Sequence, residues 1–244
     1  MRWKKRVRKQ IIEAAFMKVS ILMPVYNELK TIMDVLELVK EIKLDKEIIL
    51  VDDCSTDGTR ELLKDRFGDK KEDIMVFYHA SNTGKGAAMR TALSNATGDY
   101  VIAQDADMEY SPRDIVKLAE VAEKTSAEAV YGSRFLGTWR STTFPHFFVN
   151  WSLTALTNML FGGSLTDMET CYKMVKTDLM RSLDIQAKRF EIEPEVTAKL
   201  LGKGYAIREV PISYRGRGYD EGKKIGWRDG ISAIWTLLKC RFSK

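Results

Sequence analysis

The sequence predicts an α/β domain built on a mostly parallel sheet, with helices packed on both faces. Three observations carry this. Short apolar runs alternate with stretches of helical spacing over the first 135 residues, and that alternation builds parallel sheets. With 244 residues, 45% hydrophobic and 30% charged, the chain can bury one ordinary core. No internal repeat, low-complexity tract or linker sets off a second domain.

The elements follow in order. Residues 19–25, 47–52, 74–79 and 100–104 are short apolar runs of strand length. Between them, 31–41, 59–67 and 85–94 carry apolar residues at helical spacing. The second half is more mixed. Strands are expected at 129–132, 171–175 and 206–211, a helix at 194–202, an apolar segment at 144–161 and a last amphipathic helix at 227–239. No apolar stretch reaches the ~18 residues that would span a bilayer. The charged N-terminus lacks the apolar core of a signal peptide.

Charge is uneven. Residues 1–18 hold Arg2, Lys4, Lys5, Arg6, Arg8, Lys9 and Lys18 against Glu13, a local balance of +6 in a chain of net +5. A nucleic-acid-binding domain would spread such charge over a face, so no nucleic-acid partner is expected. Trp3, Val7, Ile11 and Ala14 share a helical stripe away from the lysines, so 1–17 reads as a basic amphipathic helix for a membrane surface. The remaining 18–244 form the main domain. Cys54, Cys171 and Cys240 are widely spaced, with no Cys/His cluster, which points away from disulfides and structural zinc and toward the cytoplasm.

Each predicted strand of the first half ends in a polar loop: PVYNE, DDCSTDGT, SNTGKG and QDADMEY. In open α/β sheets, ligands bind at the carboxyl ends of the strands. Asp105 and Asp107, two apart on extended backbone, can turn toward one point. Hard cations such as Mg²⁺ or Mn²⁺ favour such oxygen ligands, and Glu109 can add a third. The plainer alternative is an acidic loop capping the helix after Ser111-Pro112. Asp53 reads as a ligand for a base or ribose, whereas Asp57, Gly58 and Thr59 read as turn and helix cap. Gly84-Lys85-Gly86 fits neither a Walker A nor a dinucleotide glycine motif. It reads as a tight helix entry that sets Lys85 near phosphate.

PVYNE (24–28), VDDCSTDGT (51–59), NTGKGAA (82–88), DADMEYSP (105–112) and GSRF (132–135) together resemble family 2 glycosyltransferases of GT-A fold. Residues 167–173, 190–205 and 208–227 extend the resemblance to the dolichol-phosphate mannose synthase branch, which acts on polyprenyl phosphates. The resemblance implies a Rossmann-like GT-A sheet and an inverting transfer from a nucleotide sugar, GDP-mannose or a UDP-sugar. It places Pro24, Tyr26, Glu28 and Asp53 at the nucleoside, and Asp105, Asp107 and Glu109 at the metal. Arg134, Arg217 and Lys224 would meet phosphates of donor or acceptor. Glu109 departs from the branch, where Gln is frequent.

The nucleophile divides the readings. A saccharide hydroxyl needs a general base, and Glu193 or Asp167 could serve; either could equally be a helix N-terminal acid. A lipid phosphate arrives as an anion, because its second pKa is about 6. It then needs cations, and Arg134, Arg217, Lys223 and Lys224 are available. A third reading is a non-catalytic nucleotide-binding scaffold at the membrane. The leading expectation is a peripheral enzyme on the cytoplasmic membrane face, passing a hexose to polyprenyl phosphate.

Overall fold

A computed structural model describes residues 17–68, 70–71, 73–140, 144–217 and 226–243. The predicted helix over 1–17 lies outside them except for Met17, as do Lys223 and Lys224. The strands are β1 (Val19–Val25), β2 (Lys46–Asp52), β3 (Lys70–Lys71), β4 (Ile74–Tyr78), β5 (Tyr100–Ala103), β6 (Ala129–Arg140), β7 (Lys173–Lys176) and β8 (Ile207–Arg215). The helices are α1 (Ile32–Glu41), α2 (Thr59–Phe67), α3 (Lys85–Ser94), α4 (Arg113–Thr125), α5 (Phe144–Phe161), α6 (Thr177–Ser182), α7 (Ile192–Gly202) and α8 (Trp227–Phe242).

All eight strands join one sheet in the order β3-β4-β2-β1-β5-β7-β6-β8. β1 runs parallel to β2 and β5, β2 to β4, and β6 to β8. The predicted parallel sheet is mixed at two places: the short edge strand β3 runs antiparallel to β4, and β7 inserts antiparallel to both β5 and β6. The middle of the sheet is covered on both faces. Ile21, Leu22 and Met23 of β1 and Ile49, Leu50 and Val51 of β2 are all fully buried, as parallel strands require. Each such side chain contributes roughly 1.5–3 kcal/mol of burial.

β6 and β8 run further than their apolar cores suggest, to Arg140 and Arg215. Their register shifts between Ser133 and Thr138. A Cβ on Gly137 would lie 1.8 Å from the Ile212 carbonyl oxygen, so only glycine admits this backbone approach. The polar sequence of this arm hides it from an apolar-run reading.

At the end of the sheet away from the motif loops, the buried Glu47 ties three segments together. It accepts bonds from Ser20 Oγ at 2.5 Å, Thr97 N at 2.5 Å and Lys18 Nζ at 3.0 Å. These hydrogen bonds outweigh the burial that would raise its pKa and hold it down to about 2.

A second, smaller core joins α5, α7 and α8 through Leu153, Met168, Ala198, Ala233 and Leu237. In α8 the inward face is therefore Ala233 and Leu237, while Ile231, Ile234 and Trp235 of the predicted apolar stripe point outward. α5 exposes Phe147, Phe148, Val149, Trp151 and Met159. Among the described residues, no helix is long and apolar enough to cross a membrane.

Candidate active site

The four motif loops do meet at one sheet edge. The loops after β1 and β2 are zipped together: Asn27 N–H donates to Ser55 Oγ at 2.9 Å, and Thr56 N–H donates to Asn27 Oδ1 at 2.8 Å. Asp57 accepts from Leu29 N and Thr59 N, and Glu28 N donates to Thr59 Oγ1. The turn lies where it was read, but the N-cap of α2 is Gly58, and Thr59 is the first residue of the helix rather than its cap. Pro24, next to last in β1, pairs with Val51, and Tyr26 follows the strand, partly exposed.

Asp53 is buried, and its carboxylate is engaged within the chain. Its carboxylate accepts from Thr83 N at 2.9 Å, Thr83 Oγ1 at 2.8 Å, Gly84 N at 2.7 Å and meets His79 Nδ1 at 2.7 Å. Burial alone would raise its pKa, but the bonds from Thr83, His79 and Gly84 overcome that and lower it. In this structure Asp53 fastens the loop before α3 to β2.

Gly84 and Gly86 are required by packing. Gly84 has φ 95°, and a Cβ there would lie 2.4 Å from the Lys188 carbonyl oxygen. The close fit aims Lys85 into the site, where Nζ bonds Asp105 at 2.9 Å and approaches Glu193 at 3.4 Å and Cys171 Sγ at 3.6 Å. Burial would lower the Lys85 pKa, but Asp105 and its neighbours raise it well above the ordinary value. Lys85 is therefore a fixed cation in a nest of acids.

Asp105 and Asp107 follow β5, with Ala106 buried between them and Met108 turning at φ 63°. Asp107 has its pKa pushed up to about 7 by burial first and then by Asp105 and Glu109, against the pull of Arg217. Arg217 Nη2 donates to Asp107 Oδ2 at 2.8 Å, and its two Nη atoms reach the Glu28 carboxylate at 3.2 Å each. Glu109 turns to Tyr214 OH at 2.9 Å and Arg217 N at 2.8 Å. The expected three-carboxylate cluster is thus not gathered: among the described residues, no three His, Cys, Asp or Glu side chains are arranged to hold one metal. Each carboxylate has its own partner instead: Lys85 for Asp105, Arg217 for Asp107, and Tyr214 for Glu109. Asp105 and Asp107 still fit a divalent cation, since the charge that crowds Asp107 is the charge a cation would relieve.

Tyr110 packs at a tilt against Tyr172, ring centroids 4.8 Å apart, and edge-on against Tyr214 at 5.1 Å. Arg134 is buried and forks onto the fully buried Asp167, through Nε at 2.7 Å and Nη2 at 2.8 Å, with its backbone N–H at 2.9 Å. Glu193 meets Lys173 Nζ at 2.8 Å as well as Lys85. The two carboxylates considered as bases are both spoken for by cations.

Sequence reasoning missed Glu169. Its Oε1 is enclosed with no hydrogen-bond partner, and burial, against the pull of Lys173, pushes its pKa up to about 7. Lys173 cannot serve it, because its ammonium already donates to Met168 O, Thr170 O and Glu193. The motif 167–173 held the clue: two acids two residues apart, only the first of which finds an arginine.

A model of the family described as Glycosyl transferase family 2 matches residues 20–183. An undecaprenyl-phosphate mannosyltransferase of Micrococcus luteus is 25% identical, covering 92% of this chain and 99% of its own. The low-salt glycan biosynthesis hexosyltransferase Agl6 of Haloferax volcanii is 28% identical over 86% of this chain, which spans about half (51%) of Agl6. The fold is shared with glucosyl-3-phosphoglycerate synthase of Mycobacterium tuberculosis, solved with Mn²⁺, UDP and phosphoglyceric acid. The TM-score is 0.71 at 20% identity, covering 95% of this chain and 81% of that one. A GT-A-like sheet, an acidic edge after its fifth strand and a family match over most of its length agree: the chain belongs to glycosyl transferase family 2.

Proposed function

We propose that the chain is an inverting hexosyltransferase that uses Mg²⁺ or Mn²⁺ to move a sugar from GDP-mannose or a UDP-sugar to polyprenyl phosphate. The observation that carries this reading is the pairing of both bases that the sequence offered, Asp167 and Glu193. Asp167 is forked by Arg134 and Glu193 is held by two lysines. A hydroxyl nucleophile would need a carboxylate that is available to take its proton. A phosphate monoester needs none, because it is already anionic. The undecaprenyl-phosphate relative supports the same acceptor class.

In this reading Asp105 and Asp107 hold the cation and Lys85 keeps Asp105 oriented. The cation supplies Lewis-acid neutralisation of the departing diphosphate. Arg217, at the mouth of the site, adds a planar fork suited to phosphate. Glu28, Pro24 and Tyr26 border the nucleoside, with Asp53 supporting their floor from below. Lys224, outside the described residues, is in this reading a further cation for phosphate. The exposed aromatic faces of α5 and α8, with the basic residues 1–17, dock on the cytoplasmic membrane surface where the lipid resides.

A second reading keeps a specific observation in its favour. Glu169, with one enclosed oxygen unpartnered and a pKa near neutrality, has the character of a general base for a saccharide hydroxyl. The assay offers the enzyme labelled nucleotide sugars with polyprenyl phosphate or with oligosaccharides. Label in the organic phase supports the lipid acceptor. Label only in water-soluble saccharides sinks it and favours the Glu169 reading.

A further inference from the structure

Four carboxylates, Glu28, Asp105, Asp107 and Glu109, crowd the site edge, and one guanidinium serves three of them. Arg217 reaches Asp107 at 2.8 Å, Glu28 at 3.2 Å and Glu109 at 3.7 Å. Its side chain is only 16% exposed. The oxygen it holds on Asp107 is one that a divalent cation would need. A cation close to that oxygen would sit against the guanidinium, and two positive charges a few ångströms apart in a half-buried site repel by several kcal/mol. Both cannot hold Asp107 at full strength.

We infer that Arg217 is a tethered stand-in for the metal, which makes cation and donor bind interdependently. The inference rests on reading Asp105 and Asp107 as the cation site. Without a donor, Arg217 neutralises the acids and weakens the hold on a bare cation. A nucleoside diphosphate brings the anion that can receive the displaced guanidinium. Expelling Arg217 from Asp107 is then no longer a loss, because a bidentate phosphate partner replaces the carboxylates. Cation and diphosphate thus strengthen one another through a single side chain, and the coupling is reciprocal. Arg217 is here a positioning residue with two stations. Tyr214, donating to Glu109, and Arg215 N–H, donating to Glu109 O at 3.0 Å, anchor the strand end from which it swings.

The test is Mn²⁺ binding to the full chain, read by the electron paramagnetic resonance of free Mn²⁺, with and without GDP or UDP. For Arg217→Met without nucleotide, Mn²⁺ should bind roughly tenfold tighter than to wild type, the size of an ordinary coupling energy. The strengthening by nucleotide should shrink several-fold. Arg217→Lys, which keeps the charge and loses the fork, should fall between the two, and it serves if the Met variant folds poorly. A phosphate ligand with no stand-in role predicts the opposite for the first measurement: unchanged or weaker Mn²⁺ binding by Arg217→Met overturns the inference. Asp107→Asn separates the two levels. If it binds Mn²⁺ as wild type does, the cation site itself is misplaced and the inference falls with it. If it loses Mn²⁺ while Arg217→Met is unchanged, only the stand-in role is wrong.

Discussion

Removing the Asp167 carboxylate distinguishes a structural partner from a catalytic base. Asp167 is fully buried and accepts three bonds from Arg134, whose side chain is 7% exposed. The Asp167→Ala substitution leaves that guanidinium in a low-dielectric setting without its counter-charge. Stranding one member of a buried pair costs about 3–5 kcal/mol, and the attached loop loses its hold on Arg134 N–H as well. For a chain of this size that corresponds to a Tm lower by roughly 6–20 °C. Urea unfolding followed by tryptophan fluorescence gives the free-energy difference, and calorimetry gives the Tm. The paired substitution Arg134→Met with Asp167→Leu should recover most of the loss, since the charge no longer needs a partner. If Asp167→Ala unfolds within about 0.5 kcal/mol of wild type while turnover collapses, the carboxylate is working on substrate and the fork is incidental.

Three further outcomes follow from the geometry. Glu169 has a folded pKa of about 7, above that of an unfolded glutamate, so the folded chain binds its proton more tightly and stability falls as pH rises from about 4.5 toward 7. Glu169→Gln should therefore gain stability over wild type progressively across that window, by no more than about 3 kcal/mol; equal melting curves from pH 5 to pH 8 would contradict the burial. Glu47 has the opposite sign. Its folded pKa is held down to about 2, so its contribution is present above the unfolded value and is lost as pH falls through it toward 2. Glu47→Gln should cost about 2 kcal/mol near pH 7 and converge with wild type in acid, as urea titrations at several pH values will show. Replacing Trp151 and Trp235 with Ser should reduce co-sedimentation with anionic liposomes while leaving Mn²⁺ and nucleotide binding intact; unchanged sedimentation would place the membrane contact elsewhere.

Much of this was legible in the sequence because strand-ending loops carry their own punctuation. PVYNE, the DDCSTDGT turn, the GKG helix entry and the DAD pair each mark where a buried strand stops, and the sheet brings them together. Burial pattern alone located β1, β2, β4 and β5. The arm of β6 and β8 escaped because half-exposed, polar strands have no apolar run, and β7 escaped as an antiparallel insertion because direction leaves no trace in composition. Side-chain partners were less legible still. Nothing in the spacing of Asp53 shows that it also ties down residues 79–84. Glu169 needed three dimensions, since its isolation arises from Lys173 being filled by carbonyls and Glu193.

The most direct test of the metal-dependent transfer is its initial rate with labelled donor and polyprenyl phosphate, for wild type and Asp107→Asn, in Mn²⁺ and in excess chelator. Wild type in Mn²⁺ should carry label into the organic phase, with chelator or Asp107→Asn lowering that rate at least about a hundredfold. A rate that survives both chelator and substitution would contradict a cation held by Asp105 and Asp107.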